Sequence, residues 1–199
     1  MGRTSLVYYA AASALILASP ASAQKISKAE AAAMAADIDA VRSKSTVTGF
    51  GPLDVTEWVS TEGFYKTSPS DRFMRASIDR KTGHVTYQLY LSYGHGRDWF
   101  IPSTLNYEAD GGPKQAVMSR VGSDVNCSRY GCFYTEDTVT SFDRADLEWV
   151  AKGAKPGGES WNLKMYGRYT DGIDFMVLKT EVAALLAMVD TELAKLKTE

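Results

Sequence analysis

The chain has 199 residues, with 22 basic and 24 acidic side chains and a net charge of −2. So mild a charge, with no polybasic run, excludes electrostatic capture by nucleic acid or by an anionic membrane, both of which need a clustered positive surface. Two histidines and two cysteines are too few ligands for a closed zinc site once the cysteines pair with each other.

The N-terminus reads as an export signal. Arg3 precedes an apolar run from Leu6 to Ala18, and Pro20 and the small triplet Ala21-Ser22-Ala23 follow. These are the parts of a secretory signal peptide, with cleavage expected between Ala23 and Gln24. The apolar run falls short of the roughly 20 helical residues that span a bilayer. Removing residues 1–23 leaves 176 residues with a net charge of −3. That is a usual size for one domain with a real core. Residues 24–199 are therefore expected to form a single periplasmic or secreted domain. No later stretch is apolar enough to be a transmembrane segment.

The mature part opens with a helix. Ser27 and Glu30 make a capping box, and Ile26 is placed to staple against Ala31. Met34, Ile38 and Val41 fall on one face at helical spacing. The stripe is thin and alanine-rich, so this helix should lie on the domain rather than at its centre. Gly49, Gly51 and Pro52 end it.

Strands follow. LDVTEWVS is rich in β-branched residues, and RFMRASIDRKTGHVTYQLYLSYG is the clearest hairpin. A four-residue loop at Arg80-Lys81-Thr82-Gly83 places Asp79 opposite His84, Ile78 opposite Val85, Ala76 opposite Tyr87 and Met74 opposite Leu89. These partners put an apolar row on one face. Ser77, His84, Thr86, Gln88, Tyr90 and Ser92 lie on the other. Turn chemistry and alternation thus agree on one register. GHGRDWFIP reads as a loop entering a short strand that Pro102 ends. The next strands flank a turn at Asp110 to Pro113, and FYTEDTVTSF is strand-like again. DRADLEWVAKG is a short helix capped by Asp143 and stopped at Gly153. SWNLKMYGRY and IDFMVL form a last hairpin about Asp171-Gly172. The chain closes on an amphipathic helix with Thr180 as N-cap. Val182, Leu185, Leu186, Val189, Leu193 and Leu196 form its apolar stripe, a core face. The fold class is α+β: a mostly antiparallel sheet of about six to eight strands with helices packed on it.

Cys127 and Cys132 carry the same turn logic. Ser128-Arg129-Tyr130-Gly131 resembles the Arg80–Gly83 loop, and it places Cys127 opposite Cys132 within disulfide reach. The same register places Val125 opposite Tyr134, Val121 opposite Thr138 and Val117 opposite Phe142. A structural disulfide is expected, with Arg129 and Tyr130 held out toward solvent.

The candidate ligand-binding set is His95, Arg97, Asp98 and Trp99. A histidine exchanges protons near neutral pH, an arginine grips carboxylate or phosphate, and an aromatic stacks on a ligand. The plainer reading carries more weight: a hairpin loop with solvated Arg97 and Asp98, and Trp99 entering the core. His84, Gln88 and Tyr90 on the wet face are a second candidate. Glu136 and Asp137 are adjacent on a strand, point to opposite faces and cannot act together. The sequence holds no G-x-S-x-G, H-E-x-x-H, S-x-x-K, Walker A or G-x-G-x-x-G motif. No catalytic residue, cofactor or metal site is expected.

The leading expectation is a non-enzymatic exported protein that binds a small molecule or an envelope protein. The alternatives are a small hydrolase using His95 or His84 as base, and an envelope component that assembles through its C-terminal helix. An enzyme predicts a pocket holding a histidine near a hydroxyl or carboxylate. A binder predicts an apolar concavity without that geometry.

Overall fold

The computed structural model describes residues 27–49, 56–61, 66–67, 70–96, 98–168 and 171–198. The expected signal peptide, Ile26 and Arg97 lie outside them. In chain order the elements are α1 (Lys28–Arg42), β1 (Thr46–Gly49), β2 (Thr56–Ser60), β3 (Lys66–Thr67), β4 (Ser70–Asp79), β5 (Val85–His95) and β6 (Thr104–Ala109). Then come β7 (Gly112–Val117), β8 (Ser119–Ser128), β9 (Gly131–Phe142), α2 (Arg144–Lys152), β10 (Ser160–Tyr166), β11 (Ile173–Leu178) and α3 (Lys179–Leu196).

The α+β class holds, and the strands divide over two antiparallel sheets. The larger has the order β1-β2-β4-β5-β9-β8, with the short β3 beside β4. The smaller has the order β11-β10-β6-β7. A single core joins them. Met74, Ala76, Ile78, Tyr87, Leu89 and Leu91 of the larger sheet are buried in one cluster with Leu105, Tyr107, Trp161, Leu163, Met165 and Val177 of the smaller.

The β4–β5 hairpin has the expected register. Ile78 pairs with Val85, Ala76 with Tyr87 and Met74 with Leu89. Gly83 closes the loop at φ +70°, a left-handed conformation that glycine adopts without strain. The opposite face is half-buried rather than fully wet. Arg75 bonds Gln88 at 3.0 Å. The Arg75 guanidinium also lies over the rings of Trp58 and Tyr90, at 4.8 and 5.3 Å. Gln88 and Tyr90 are thereby engaged in a surface lattice, and His84 sits at the exposed loop.

The helices pack as a lid on this core. α1 begins with the capping box of Ser27 and Glu30. Met34 and Ile38 are half-buried, Val41 is buried, and the helix packs on α3. α3 starts earlier than expected: Leu178, not Thr180, is its N-cap. Thr180 is buried within the first turn. Val182, Leu185, Leu186 and Val189 are buried, with Leu193 and Leu196 packed at the margin. Arg144 of α2 grips Asp190 of α3 with two bonds, at 2.7 and 3.0 Å. Asp146 of α2 accepts from Lys114 and from the Tyr107 hydroxyl. Burial and that bond push Tyr107 up to about 12.

Two turns are tighter than expected. Ala109 pairs with Gly112, so the β6–β7 turn is Asp110-Gly111 alone. Ser128 pairs with Gly131, so the β8–β9 turn is Arg129-Tyr130. The disulfide register survives: Cys127 pairs with Cys132 and Val125 with Tyr134. Cys127 and Cys132 form the disulfide, which fits an oxidising compartment. Beyond Gly122 the expected register fails. Val121 is the extra residue of a bulge, so Arg120, not Val121, faces Thr138. Val117 pairs with Thr104 in the other sheet. The segment read as one strand is two, because the chain changes sheets at Met118. Among the described residues no helix is long and apolar enough to cross a membrane.

Candidate functional site

The end of β5 gathers most of the expected site residues, around a carboxylate that the sequence did not single out. Glu136 of β9 is fully buried. Its carboxylate accepts from the Phe100 amide at 2.7 Å and the Ile101 amide at 3.0 Å. His95 Nε2 stands 3.2 Å from Glu136 Oε2, and Arg120 Nη1 is 3.7 Å from Oε1. The sheet explains the gathering. Tyr93 pairs with Glu136 and His95 with Tyr134, so all four side chains share the core-facing side of β5 and β9.

Glu136 also shapes the loop. Residues 98–103 form no strand, contrary to the expected short strand before Pro102. They are held by the Glu136 carboxylate and by isolated backbone bonds, Arg168 N to Phe100 O at 2.6 Å and Ser103 N to Tyr166 O at 2.9 Å. Ile101 has φ +53°, a left-handed conformation that is strained for a β-branched residue. The carboxylate satisfies two successive amides there, which offsets the strain. Phe100, rather than Trp99, enters the core. Trp99 stays half-buried, edge-on to Tyr134 at 4.8 Å and under the Arg120 guanidinium at 5.8 Å. Asp98 accepts from the Trp99 amide at 2.8 Å and pairs with Arg168 at 2.8 Å. His95, Asp98 and Trp99 thus lie in one neighbourhood, each engaged with another part of the fold.

Among the described residues the His95 ring is hydrogen-bonded to the Glu136 carboxylate. The ring lies between Tyr93 at 5.2 Å and Tyr134 at 5.9 Å, and only 10% of the side chain is exposed. A shielded histidine whose carboxylate is shared with two amides and an arginine is suited to holding a loop. It is poorly placed to take a proton from a substrate. No group of three or more metal-ligating side chains occurs among the described residues.

One residue along the same face, the geometry changes. Tyr93 lines a cleft of about 200 Å³ between the two sheets. Leu91 and Tyr93 form one wall; Met165, Ile173 and Phe175 form the other. Arg72 and Asp174 are the charged residues on the lining. The cleft is the open end of the shared core. Arg72 pairs with Leu91 in the larger sheet, and Met165 with Ile173 in the smaller. Lys164 stands 3.6 Å from Asp174 at the mouth. In the core, Glu181 of α3 accepts from the Thr61 hydroxyl at 2.6 Å and the Met74 amide at 3.2 Å. Burial raises the Glu181 carboxyl above the ordinary carboxylate range, favouring its neutral form.

The cleft was missed in the sequence because one wall comes from residues 91–93 and the other from residues 165–175. One signal was present. Arg72 falls in phase with Met74, Ala76 and Ile78, so the hairpin alternation already turned a cation inward. Comparison of the chain with protein-family models, with curated proteins and with solved structures finds no match to any of them.

Proposed function

We propose that this chain is an exported, non-catalytic binding protein, and that the cleft between its sheets is the ligand site. The observation that carries the reading is the division of labour along β5. Tyr93 opens onto an apolar concavity that no histidine lines, while His95 is spent two residues later on the Glu136 clasp. Apolar concavities with few polar groups are the usual small-molecule sites. A hydrolase would need its base beside a concavity, but His95 is shielded by two tyrosines and His84 lies at an exposed loop off the cleft lining. Assembly through the C-terminal helix would need an exposed stripe, and the α3 stripe is buried in its own core.

Native mass spectrometry of the protein purified from its own envelope tests this. The expected result is a retained small molecule, lost when Ile173→Trp fills the cleft. A protein that retains nothing, and that no apolar small molecule stabilises, counts against the reading. Export has its own check: the N-terminus of the purified protein should be Gln24.

A protein partner is the second reading, and the β8–β9 arm favours it. Val121, Val125, Phe133 and Tyr130 are all exposed there, Tyr130 by 83%. Co-purification of an envelope protein that Tyr130→Ala abolishes would support it.

A further inference from the structure

We propose that the face of β4 and β5 opposite the core binds a sugar acid, with its carboxylate on the Arg75 guanidinium and its hydroxylated body along Gln88 and Ser141. This site is separate from the cleft between the sheets and does not depend on it.

The starting point is a cation without an anion. Arg120, Arg144 and Arg168 each stand against a carboxylate. Among the described residues Arg75 has none. Its Nε donates to the Gln88 side-chain oxygen at 3.0 Å, and its guanidinium lies over the rings of Trp58 and Tyr90. Those contacts hold the group in place and take water from it. Among the described residues they leave Nη1 and Nη2 without an acceptor. These are the nitrogens of a planar fork that a carboxylate fills with two parallel bonds. Burial pulls Arg75 below the ordinary arginine value, with no carboxylate to oppose it. A half-buried cation of this kind is stabilised when an anion answers it.

The register surrounds the fork with neutral donors. Arg75 pairs with Gln88, and Ser77, next along that face of β4, pairs with Thr86. Gln88 pairs in turn with Ser141 of β9. Among the described residues the hydroxyls of Ser77, Thr86 and Ser141 and the side-chain NH2 of Gln88 have no bond within the fold. The outer face of the smaller sheet is different, with Glu108, Lys164 and Asp174 together on it. Around Arg75, hydroxyl and amide groups enclose a single charge. That arrangement complements a molecule with many hydroxyls and one negative charge.

The body of such a molecule has a matching place. Gln88 and Ser141 pass into a groove of about 460 Å³, where Gln115, Ser119 and Thr140 continue the polar lining. Asp143, the acid on that lining, is an acceptor for ligand hydroxyls. Val139 and Ala116 supply apolar surface for the C–H face of a sugar ring. A fatty acid would lay its chain on hydroxyls and amides here. A neutral sugar would leave the fork unanswered.

An NMR titration of the purified protein with D-glucuronate, D-glucose and acetate tests the proposal. It is followed at the Arg75 Nε–Hε, Trp58 Nε1–Hε1 and Met165 methyl signals. Glucuronate and glucose share a ring and differ in the carboxylate, and acetate carries the carboxylate alone. Glucuronate should move the Arg75 and Trp58 signals and bind roughly tenfold more tightly than either of the others, the effect of a hydrogen bond to a charged group. The Met165 methyl, in the cleft between the sheets, should stay in place. Arg75→Met should bring glucuronate down to the level of glucose, and Arg75→Lys should keep part of the difference. Glucose binding as tightly as glucuronate removes the anion from the class, and acetate binding as tightly removes the sugar. Either result overturns the proposal. So does glucuronate that moves Met165 and not Arg75, or that moves neither. These comparisons use unmodified protein, so a misfolded Arg75→Met does not shelter the proposal.

Discussion

The β4–β5 and β8–β9 hairpins start from similar loop sequences, RKTG and SRYG, and end in different physical situations. In the first, Gly83 donates to the Asp79 carbonyl at 2.7 Å and four residues make the loop. In the second, Ser128 pairs with Gly131 and the turn closes to two residues. The first hairpin is roofed by α3 and the smaller sheet, so Met74, Ile78 and Leu89 are wholly buried. The second projects past that roof. β8 is nearly all exposed and packs chiefly on β9. Local turn chemistry sets register in both. Only the first has its register confirmed by burial, and the second has a disulfide where the first has a core.

Substitutions should separate the two hairpins, most strongly in the cores. Leu89→Ala should destabilise by about 2–5 kcal/mol, the usual range for a buried leucine. Val125→Ala at the arm, 43% exposed, should change stability by less than about 0.5 kcal/mol. Denaturant titration of both variants reads the contrast directly. A large loss at Val125 would show that the arm is covered in solution.

The disulfide is the next step down. Replacing Cys127 and Cys132 with serine should lower stability by about 2 kcal/mol in the chain-entropy model for so short a loop. Ligand binding by the folded protein should be unchanged, because the cleft lies at β4, β5, β10 and β11. Loss of binding at full stability would assign the cysteines to function instead.

The glycines sharpen the turn difference. Gly83 lies at φ +70° and Gly131 at φ +128°. Asparagine tolerates the first region far better than the second. Gly83→Asn should therefore be milder than Gly131→Asn, with the latter losing roughly 1–3 kcal/mol. Thermal unfolding of the pair checks the order.

The smallest effect is a pH slope beneath the β4–β5 roof. Burial raises the folded-state pKa of Glu181 above that of an ordinary glutamate. In that window the folded state binds more protons than the unfolded state. The contribution of Glu181 is thus fully present below the unfolded value and is lost as pH rises through the folded one. Glu181→Gln should flatten the melting temperature across this window, with Thr61 still able to donate to the amide oxygen. An unchanged slope in the variant would place the titration elsewhere.

These contrasts also mark what the sequence made legible. The β4–β5 register was readable because Gly83, the facing apolar pairs and the alternation all point to the same answer. The Cys127–Cys132 pairing was readable for the same local reason. The bulge at Val121 was not, because a valine fits either the alternating row or the extra position. The sheet change at Met118 was equally hidden, since nothing in AVMSRV interrupts a strand. Of the candidate site, His95, Asp98 and Trp99 do share a neighbourhood. Their organiser, Glu136, was visible only as an acid facing away from Asp137. Alternation gives the side of a strand, and depth depends on which distant segment covers it.

The Glu136 clasp has a consequence in time. The amides of Phe100 and Ile101 belong to no strand, yet a wholly buried carboxylate on β9 holds both. Amide hydrogens on an irregular segment ordinarily exchange with solvent quickly. These two should exchange slowly, at the pace at which β5 and β9 part, while their neighbours at Trp99 and Ser103 keep their own clocks. Two protons in a loop thereby record the opening of the sheet beneath them.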